Sequence, residues 1–408
     1  MLISPVLDFS VLDPPRQPND TTSAFPFHGG EKEAHKRLKQ LVVSGSLHSY
    51  KSSRDSLLGI DSSTKLSAWL ALGCLTARQI HSALLDFEDA KTNLGSNAEG
   101  YGNGENEGTM AVRFELLWRD YMRLCARKFR HRLFRLGGFR DNETVQWKNI
   151  SDLDSEAAAD AKKMMDRFLN GTTGMGLIDA SQRELYLTGY TSNRARQNVA
   201  SFLTKNLKLD WRLGAEWYEC MLIDYDASNN WGNWLYVAGL GNDPRGFARR
   251  FNPVKQAWDY DPTAKYVRTW IPELHQVEDP GECFQACTIP VERRARLGLD
   301  GLEWVEHPLN EIHFVVGPMW KGRHTRGWRN NQGRSHNNRT PGGDENRSNR
   351  RGGLSRGFSI GRGGGRGRGQ GQDFARGGRA SSRGHTGGAQ DGHTTKIPEI
   401  TETDGDDR

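Results

Sequence analysis

GLIDASQRELYLTGYTSNRARQNVASFLTKNLKLDWRLGAEWYECMLIDYDASNNWGNWLYVAGLGNDPRGFARRFNPVKQAWDYDPTAKYVRTWIPEL, residues 176–274, decides how the chain folds. Within it, NRARQNVASFLTKNLKL (193–209) and RLGAEWYECMLI (212–223) place apolar residues three and four apart. That spacing belongs to a helix with one buried face. The same period recurs upstream in EKEAHKRLKQLVV (31–43), TARQIHSALLDFED (76–89) and TMAVRFELLWRDYMRLCARKF (109–129), with Thr76 placed to cap the second of these. Strand-like alternation is scarce, and SNAEGYGNGENEG (96–108) reads as a flexible excursion between helices. The fold class is therefore mainly α: a helical body over residues 25–318 with long loops.

Around that body lie two segments of different composition. Residues 1–24 are rich in Pro, Asp and Ser/Thr with no sustained period, as expected of an extended arm or linker remnant. Residues 319–408 carry RGGLSRGFSIGRGGGRGRGQGQDFARGGRASSRGHTGG and an acidic end, IPEITETDGDDR. So few apolar groups cannot offset the entropy of ordering, and this tail is expected to be disordered.

Of the 408 residues 26% are charged, and no run approaches the roughly 18 apolar residues of a spanning helix. A multi-span membrane protein is excluded on that reading. The opening MLISPVLDFSVLDPPRQPND lacks the basic start and apolar core of a signal peptide, so an intracellular protein is expected, with nothing to choose between nucleus, cytoplasm and mitochondrion. Five scattered cysteines suit a reducing compartment. Cys283 and Cys287 have no second ligand pair nearby, and no metal site is expected. The net charge of +6 hides a division: residues 321–408 hold 18 Lys/Arg against 9 Asp/Glu, while the remainder holds 38 against 41. A body of that charge can bind nucleic acid only through a local basic cleft.

Three groups of residues carry chemistry in their own right. Ser63-Thr64-Lys65-Leu66-Ser67 places hydroxyls and backbone N–H groups at the mouth of a helix, which suits an anionic pyrophosphate but equally a plain helix cap. Asp224 and Asp226, with Asn230 four residues on, read as a turn or cap, or as acids lining a site. Glu115 and Trp118, three apart on one patterned helix, can face one cavity while Arg119 and Asp120 point elsewhere; alternatively Glu115 pairs with Arg119 and Trp118 is core.

Over 176–274, with the Asn230-Trp231-Gly232-Asn233-Trp234 run and LYVAGLGNDPR after it, the sequence resembles the flavin-binding domain of photolyases and cryptochromes, most closely the DASH branch. The likeness continues through STKLSAWLALGCLT (63–76) and FELLWRDYMR (114–123), covering about 290 residues. It implies an all-helical FAD-binding domain. It further implies that Tyr50, Ser63, Thr64, Lys65, Leu66, Ser67, Arg119, Arg196, Asp224, Tyr225, Asp226 and Asn230 hold FAD, with Asp224 paired to Arg196 and Asn230 near flavin N5. Glu115, Trp118, Asn193 and Arg194 match positions that meet DNA, the first two on the damaged pyrimidines. Trp234, Trp211 and Trp147, in that order outward, match a chain of electron-transfer tryptophans.

The activity implied is light-driven repair of cyclobutane pyrimidine dimers, preferentially in single-stranded DNA, by a monomer. The alternative is a blue-light photoreceptor that binds DNA or RNA without repair. Such proteins usually carry an N-terminal α/β domain for an antenna such as 5,10-methenyltetrahydrofolate; nothing before Phe25 can form it, so antenna binding is not expected. Thr173-Gly174-Met175-Gly176 stands where a proline is frequent, which is expected to loosen the turn before Asp179. The Arg-Gly repeats around Arg351, Arg362, Arg366, Arg368 and Arg376, with Phe358 and Phe374, resemble the segments with which RNA-binding proteins hold phosphate and stack on bases.

Overall fold

Several helices begin where a side chain replaces the missing partners of the first turn. The computed structural model describes residues 23–148, 150, 155–246 and 249–313; the tail lies outside them. Helices α1 (Glu31–Val43), α2 (Ser46–Ser53) and the short α3 (Ser67–Ala71) come first. Helix α4 (Ala77–Glu88) starts at Thr76, whose hydroxyl accepts from the Gln79 N–H while the Gln79 side chain accepts from the Thr76 N–H. Helix α5 (Glu107–Phe129) starts in the same way at Asn106 and Thr109. Then follow α6 (Glu156–Leu169), α7 (Gly176–Thr188), α8 (Asn193–Ser201), α9 (Trp211–Met221), α10 (Ala227–Ala238), α11 (Pro253–Tyr260) and α12 (Lys265–Trp270). Shorter turns, α13 (Pro280–Phe284), α14 (Val291–Arg296) and α15 (Glu303–Glu306), close the described chain. Among the described residues, β-type pairing is confined to one bridge between Lys148 and Leu209. The mainly α class expected from the periodicity is the one observed.

Helix 193–209 departs from the expected bounds. After Ser201 it widens into a π-helical turn, Phe202–Leu207, ended by Lys208 in the left-handed region (φ 59°). The Thr204 hydroxyl bonds back to the Ala200 carbonyl, and Lys205 Nζ is drawn onto the Ala238 carbonyl. These bonds hold the widened turn against the end of α10.

Two apolar clusters form. The smaller gathers Phe25, Leu38, Leu41, Trp69, Ile80, Leu84 and Phe87 with Ala111 and Val112 of α5. The larger holds Trp211, Trp217, Trp234, Trp270 and their neighbours, with Cys125 from the other end of α5. That helix therefore runs through both.

Two loop expectations are corrected. Of the 96–108 stretch, 107 and 108 already belong to α5 and the rest is a loop, but an anchored one: the Tyr101 ring meets Phe87 edge-on, the N–H groups of Gly102 and Gly104 bond to the carbonyls of Phe87 and Glu88, and Arg113 joins Glu88 to Glu105. The turn at 173–176 is tied rather than loosened. Buried Asp179 accepts from the Thr173 N–H (2.8 Å), the Thr173 hydroxyl (2.6 Å) and the Gly174 N–H (2.9 Å). Gly174, at φ +88°, leaves room for Pro308 and Trp304, which a Cβ would meet at 2.5 and 2.6 Å.

Helix α2 lies so close on α5 that a Cβ at Gly108 would stand 1.9 Å from the His48 carbonyl oxygen and 2.3 Å from that of Leu47. We expect Gly108→Ala to lower the unfolding free energy by about 1–3 kcal/mol, read from urea titration. An unchanged midpoint would mean that the two helices do not touch there.

Candidate functional site

Between the two clusters lies a cavity of about 560 Å³, lined on one side by Tyr50, Leu66 and Val112 and on the other by Ala200, Tyr218 and Trp234. Its size is that of a site for a cofactor or a small ligand.

One wall is the 60–67 loop. Ser63, Thr64, Lys65, Leu66 and Ser67 all line the cavity. Helix α3 is only five residues long, so its N-terminal field is small. The loop takes its shape from Arg37, 1% exposed, whose guanidinium bonds to the carbonyls of Thr64 (3.0 Å), Ile60 (3.1 Å) and Ser63 (3.2 Å) and to Asp61 Oδ1 (2.7 Å). The Lys65 side chain turns inward to the Tyr190 hydroxyl (3.2 Å).

The opposite wall carries the paired Arg196 and Asp224, 2.9 Å apart. Burial disfavours the Arg196 cation, but Asp224 outweighs it and the pKa moves up. Asp224 Oδ1 and the Tyr218 hydroxyl, buried beside the same cavity, have no hydrogen-bond partner among the described residues. Such groups are costly unless a bound molecule satisfies them. Tyr225 lines the cavity too. Asp226 accepts from the Asn229 N–H to cap α10 and also pairs with Arg123 at 2.8 Å, so it is both a cap and a wall residue. Asn230 donates its amide to the Ala215 carbonyl (2.8 Å) and faces the cavity.

At the mouth, Glu115 and Trp118 lie side by side on α5. Glu115 pairs with Arg54 of the α2 end, not with Arg119. Burial pushes the Glu115 carboxyl up, against the pull of Arg54. Trp118 donates to Asn233 Oδ1 (3.3 Å) and meets Tyr236 edge-on. Arg119, which the helical spacing pointed away from that pair, lines the same cavity; its guanidinium bends to Asp120 and to the Leu70 carbonyl. Asn193 opens α8 and faces the cavity, but the cap is Ser192. Arg194 is neither solvated nor on the wall: it pairs with Asp55 at 2.6 Å and lies over Tyr260. Trp234 lines the cavity, its ring edge against Gly214. Trp211 is fully buried and donates to the Leu136 carbonyl, while Trp147 packs half-buried at the margin of the larger cluster. Trp231, not singled out from the sequence, meets Trp211 edge-on at 5.6 Å.

Sequence reasoning also missed Arg37, Arg54, Tyr190 and Tyr218. A signal existed for Arg37, which falls among Ala34, Leu38 and Leu41 on the apolar face of α1, where an arginine needs a buried partner. The remaining three had no local pattern.

A family model described as the FAD binding domain of DNA photolyase matches residues 112–299. Relatives from Gibberella zeae and Neurospora crassa, whose names give them provisionally as cryptochromes DASH, are 52% and 53% identical over 337 and 326 residues, or 81% and 77% of this chain. A cryptochrome DASH of Xenopus laevis is 40% identical over 85% of the chain. The chain spans 48%, 44% and 57% of these three relatives, about half the length of each. Among solved structures, a Synechocystis cryptochrome superimposes with a TM-score of 0.60 at 39% identity, covering 72% of this chain and 58% of that one. A class III photolyase of Agrobacterium tumefaciens does so with 0.59 at 26%, covering 70% and 54%. The chain belongs to the photolyase/cryptochrome family and, within it, to the DASH-type cryptochromes. The Neurospora crassa relative is named as mitochondrial, and among the described residues no helix is long and apolar enough to cross a membrane.

Behind the cavity Glu184 accepts from the Tyr266 hydroxyl (2.6 Å), and burial raises its pKa from 4.5 to about 7. A buried acid with a raised pKa keeps its proton longer in the folded state, so stability falls as pH rises from about 4.5 to about 7. Glu184→Gln should flatten that decline, read as the denaturant midpoint between pH 5 and 8; a wild-type midpoint that does not move with pH would overturn the assignment.

Proposed function

We propose that the cavity holds FAD and that the chain splits cyclobutane pyrimidine dimers with light, preferentially in single-stranded DNA. The observation that carries this reading is that Glu115 and Trp118 share one cavity with the Arg196–Asp224 pair and the Arg37-braced loop. A flavin and an extruded pair of bases can then be held against each other. The unpartnered Asp224 Oδ1 and Tyr218 hydroxyl fit a polar, multiply hydrogen-bonding ligand. Ser63, Thr64 and Ser67 with the loop N–H groups would take its phosphates, and Arg196, Asp224 and Asn230 its ring and sugar side. FAD, when bound, supplies light-driven electron donation.

The chain's own residues position and shield. Trp118 offers an aromatic wall to the bases. Glu115, whose carboxyl burial favours the protonated form, can donate a hydrogen bond to a base carbonyl. Buried indoles at Trp234 and Trp211, with Trp147 outermost, form a route for electrons from the surface. The Arg-Gly tail is proposed to tether RNA or single strands.

The test is to purify the chain, record its absorption, and illuminate it under reducing conditions with an oligonucleotide containing a dimer. Bound flavin and restored pyrimidine absorbance are expected. Glu115→Ala should keep the flavin and lower repair by up to about tenfold, the value of one neutral hydrogen bond, while Glu115→Gln, which keeps a donor, should lose less. Absence of flavin would remove the reading altogether. Flavin that photoreduces while no dimer is split, even in single strands, would point to a photoreceptor instead.

A further inference from the structure

Helix α5 carries a second face, of which Phe114 alone reaches the cavity. At 100° per residue, Met110, Phe114, Leu117, Tyr121, Leu124 and Lys128 fall within an arc of about 80° over about 27 Å. The five apolar members are 50, 56, 62, 42 and 63% exposed. One end of this stripe is the cavity mouth: Phe114 lines the cavity and stacks on Trp118 (6.3 Å), which in turn meets Tyr121 (5.5 Å). The other end runs into RLCARKFRHRLFR, residues 123–135, which holds six Lys/Arg and no acid. Arg123 pairs with Asp226 and Arg132 with Asp141; Arg127, Lys128, Arg130 and Arg135 have no carboxylate partner among the described residues. In a body with slightly more acids than bases, this is a local concentration of free cations.

We propose that the outer face of α5 is a docking track for single-stranded nucleic acid, leading from the cavity mouth to the 127–135 cations. The proposal rests on the reading of the cavity as a place that receives bases. Unpaired bases present flat apolar faces that stack on aromatic rings, and the backbone brings phosphates at regular spacing to lysine and arginine. A strand thus satisfies both halves of the surface at once. A protein covering the same stripe would have to supply acids to the cations at one end and an apolar ridge along the rest. A duplex keeps its bases stacked inside and offers nothing to Leu117 or Tyr121, so the track also accounts for a preference for single strands.

The experiment uses the full chain with lesion-free strands. A bromouracil-substituted oligothymidylate, cross-linked by light and mapped by mass spectrometry, should attach within residues 114–128, and the same sequence as a duplex should not. Leu117→Asp and, separately, the pair Arg127→Glu with Lys128→Glu should each raise the dissociation constant for the strand about tenfold, with flavin absorbance unchanged. The charge reversal should also make the salt dependence shallower. Cross-links confined to the tail, or unchanged affinity in both variants, would overturn the track while leaving dimer repair standing. A wild-type dimer in sedimentation that Leu117→Asp dissociates without altering strand affinity would overturn it in favour of a protein-docking face. A wild-type chain that carries flavin but binds no strand would take the functional reading down with it.

Discussion

The close approach of α2 to α5, with Gly108 against the carbonyls of Leu47 and His48, fixes the one helix that runs through both apolar clusters. Each face of α5 then has a defined duty. Ala111 and Val112 seal the smaller cluster and Cys125 the larger. Glu115, Trp118 and Arg119 wall the cavity, and the remaining arc meets solvent. A small rotation of this helix would move the cavity wall and the outer stripe together. For that reason its start is held by a reciprocal cap at Asn106 and Thr109, and its flank by Arg113 between Glu88 and Glu105.

Buried charge positions the cavity walls rather than adding net stability. Burying an ion costs several kcal/mol, and the pairing largely offsets that cost without exceeding it. What each group contributes is geometry. Arg37 gathers three backbone carbonyls and one carboxylate of a loop with few apolar anchors of its own, so the loop has one shape before any ligand arrives. Arg183 does the same beneath the larger cluster, bonding to the Gly171 carbonyl and to Glu273. Arg196 and Asp224 differ in one respect: the pair leaves a carboxylate oxygen unsatisfied toward the cavity, which makes it a site rather than a brace.

Much of this was legible in the sequence because local rules govern it. The period of α1 gave its bounds and Thr76 announced α4, whereas the residues that line the cavity were indicated by the likeness to a known family and by no local rule. What could not be read depends on contacts between segments far apart in the chain. Arg54 meets Glu115 across 61 positions and Lys65 meets Tyr190 across 125, and neither has a spacing to recognise. Helical angle alone turns Arg119 away from Glu115 and Trp118, while the family likeness sets it among the cavity residues; a long side chain reaches the wall by bending toward the Leu70 carbonyl. The π-helical turn after Ser201 was hidden for a similar reason: the Lys205 ammonium reaches a carbonyl on α10, a tertiary bond that periodicity does not register.

The cavity mouth also shows why Glu115 is difficult to treat as an isolated acid. Glu115 pairs with Arg54, Arg54 lies 3.9 Å from Asp55, and Asp55 pairs with Arg194, whose guanidinium rests over Tyr260. Signs alternate along this belt, which joins α2, α5 and α8 across the opening. Arg54, about a quarter exposed (26%), therefore stands between two acids rather than serving Glu115 alone. Burial meanwhile works against the carboxylate's charge and raises the Glu115 pKa in spite of Arg54. The belt thus holds the Glu115 carboxyl at the opening through charge while burial opposes that charge, so its position and its protonation are set by different neighbours.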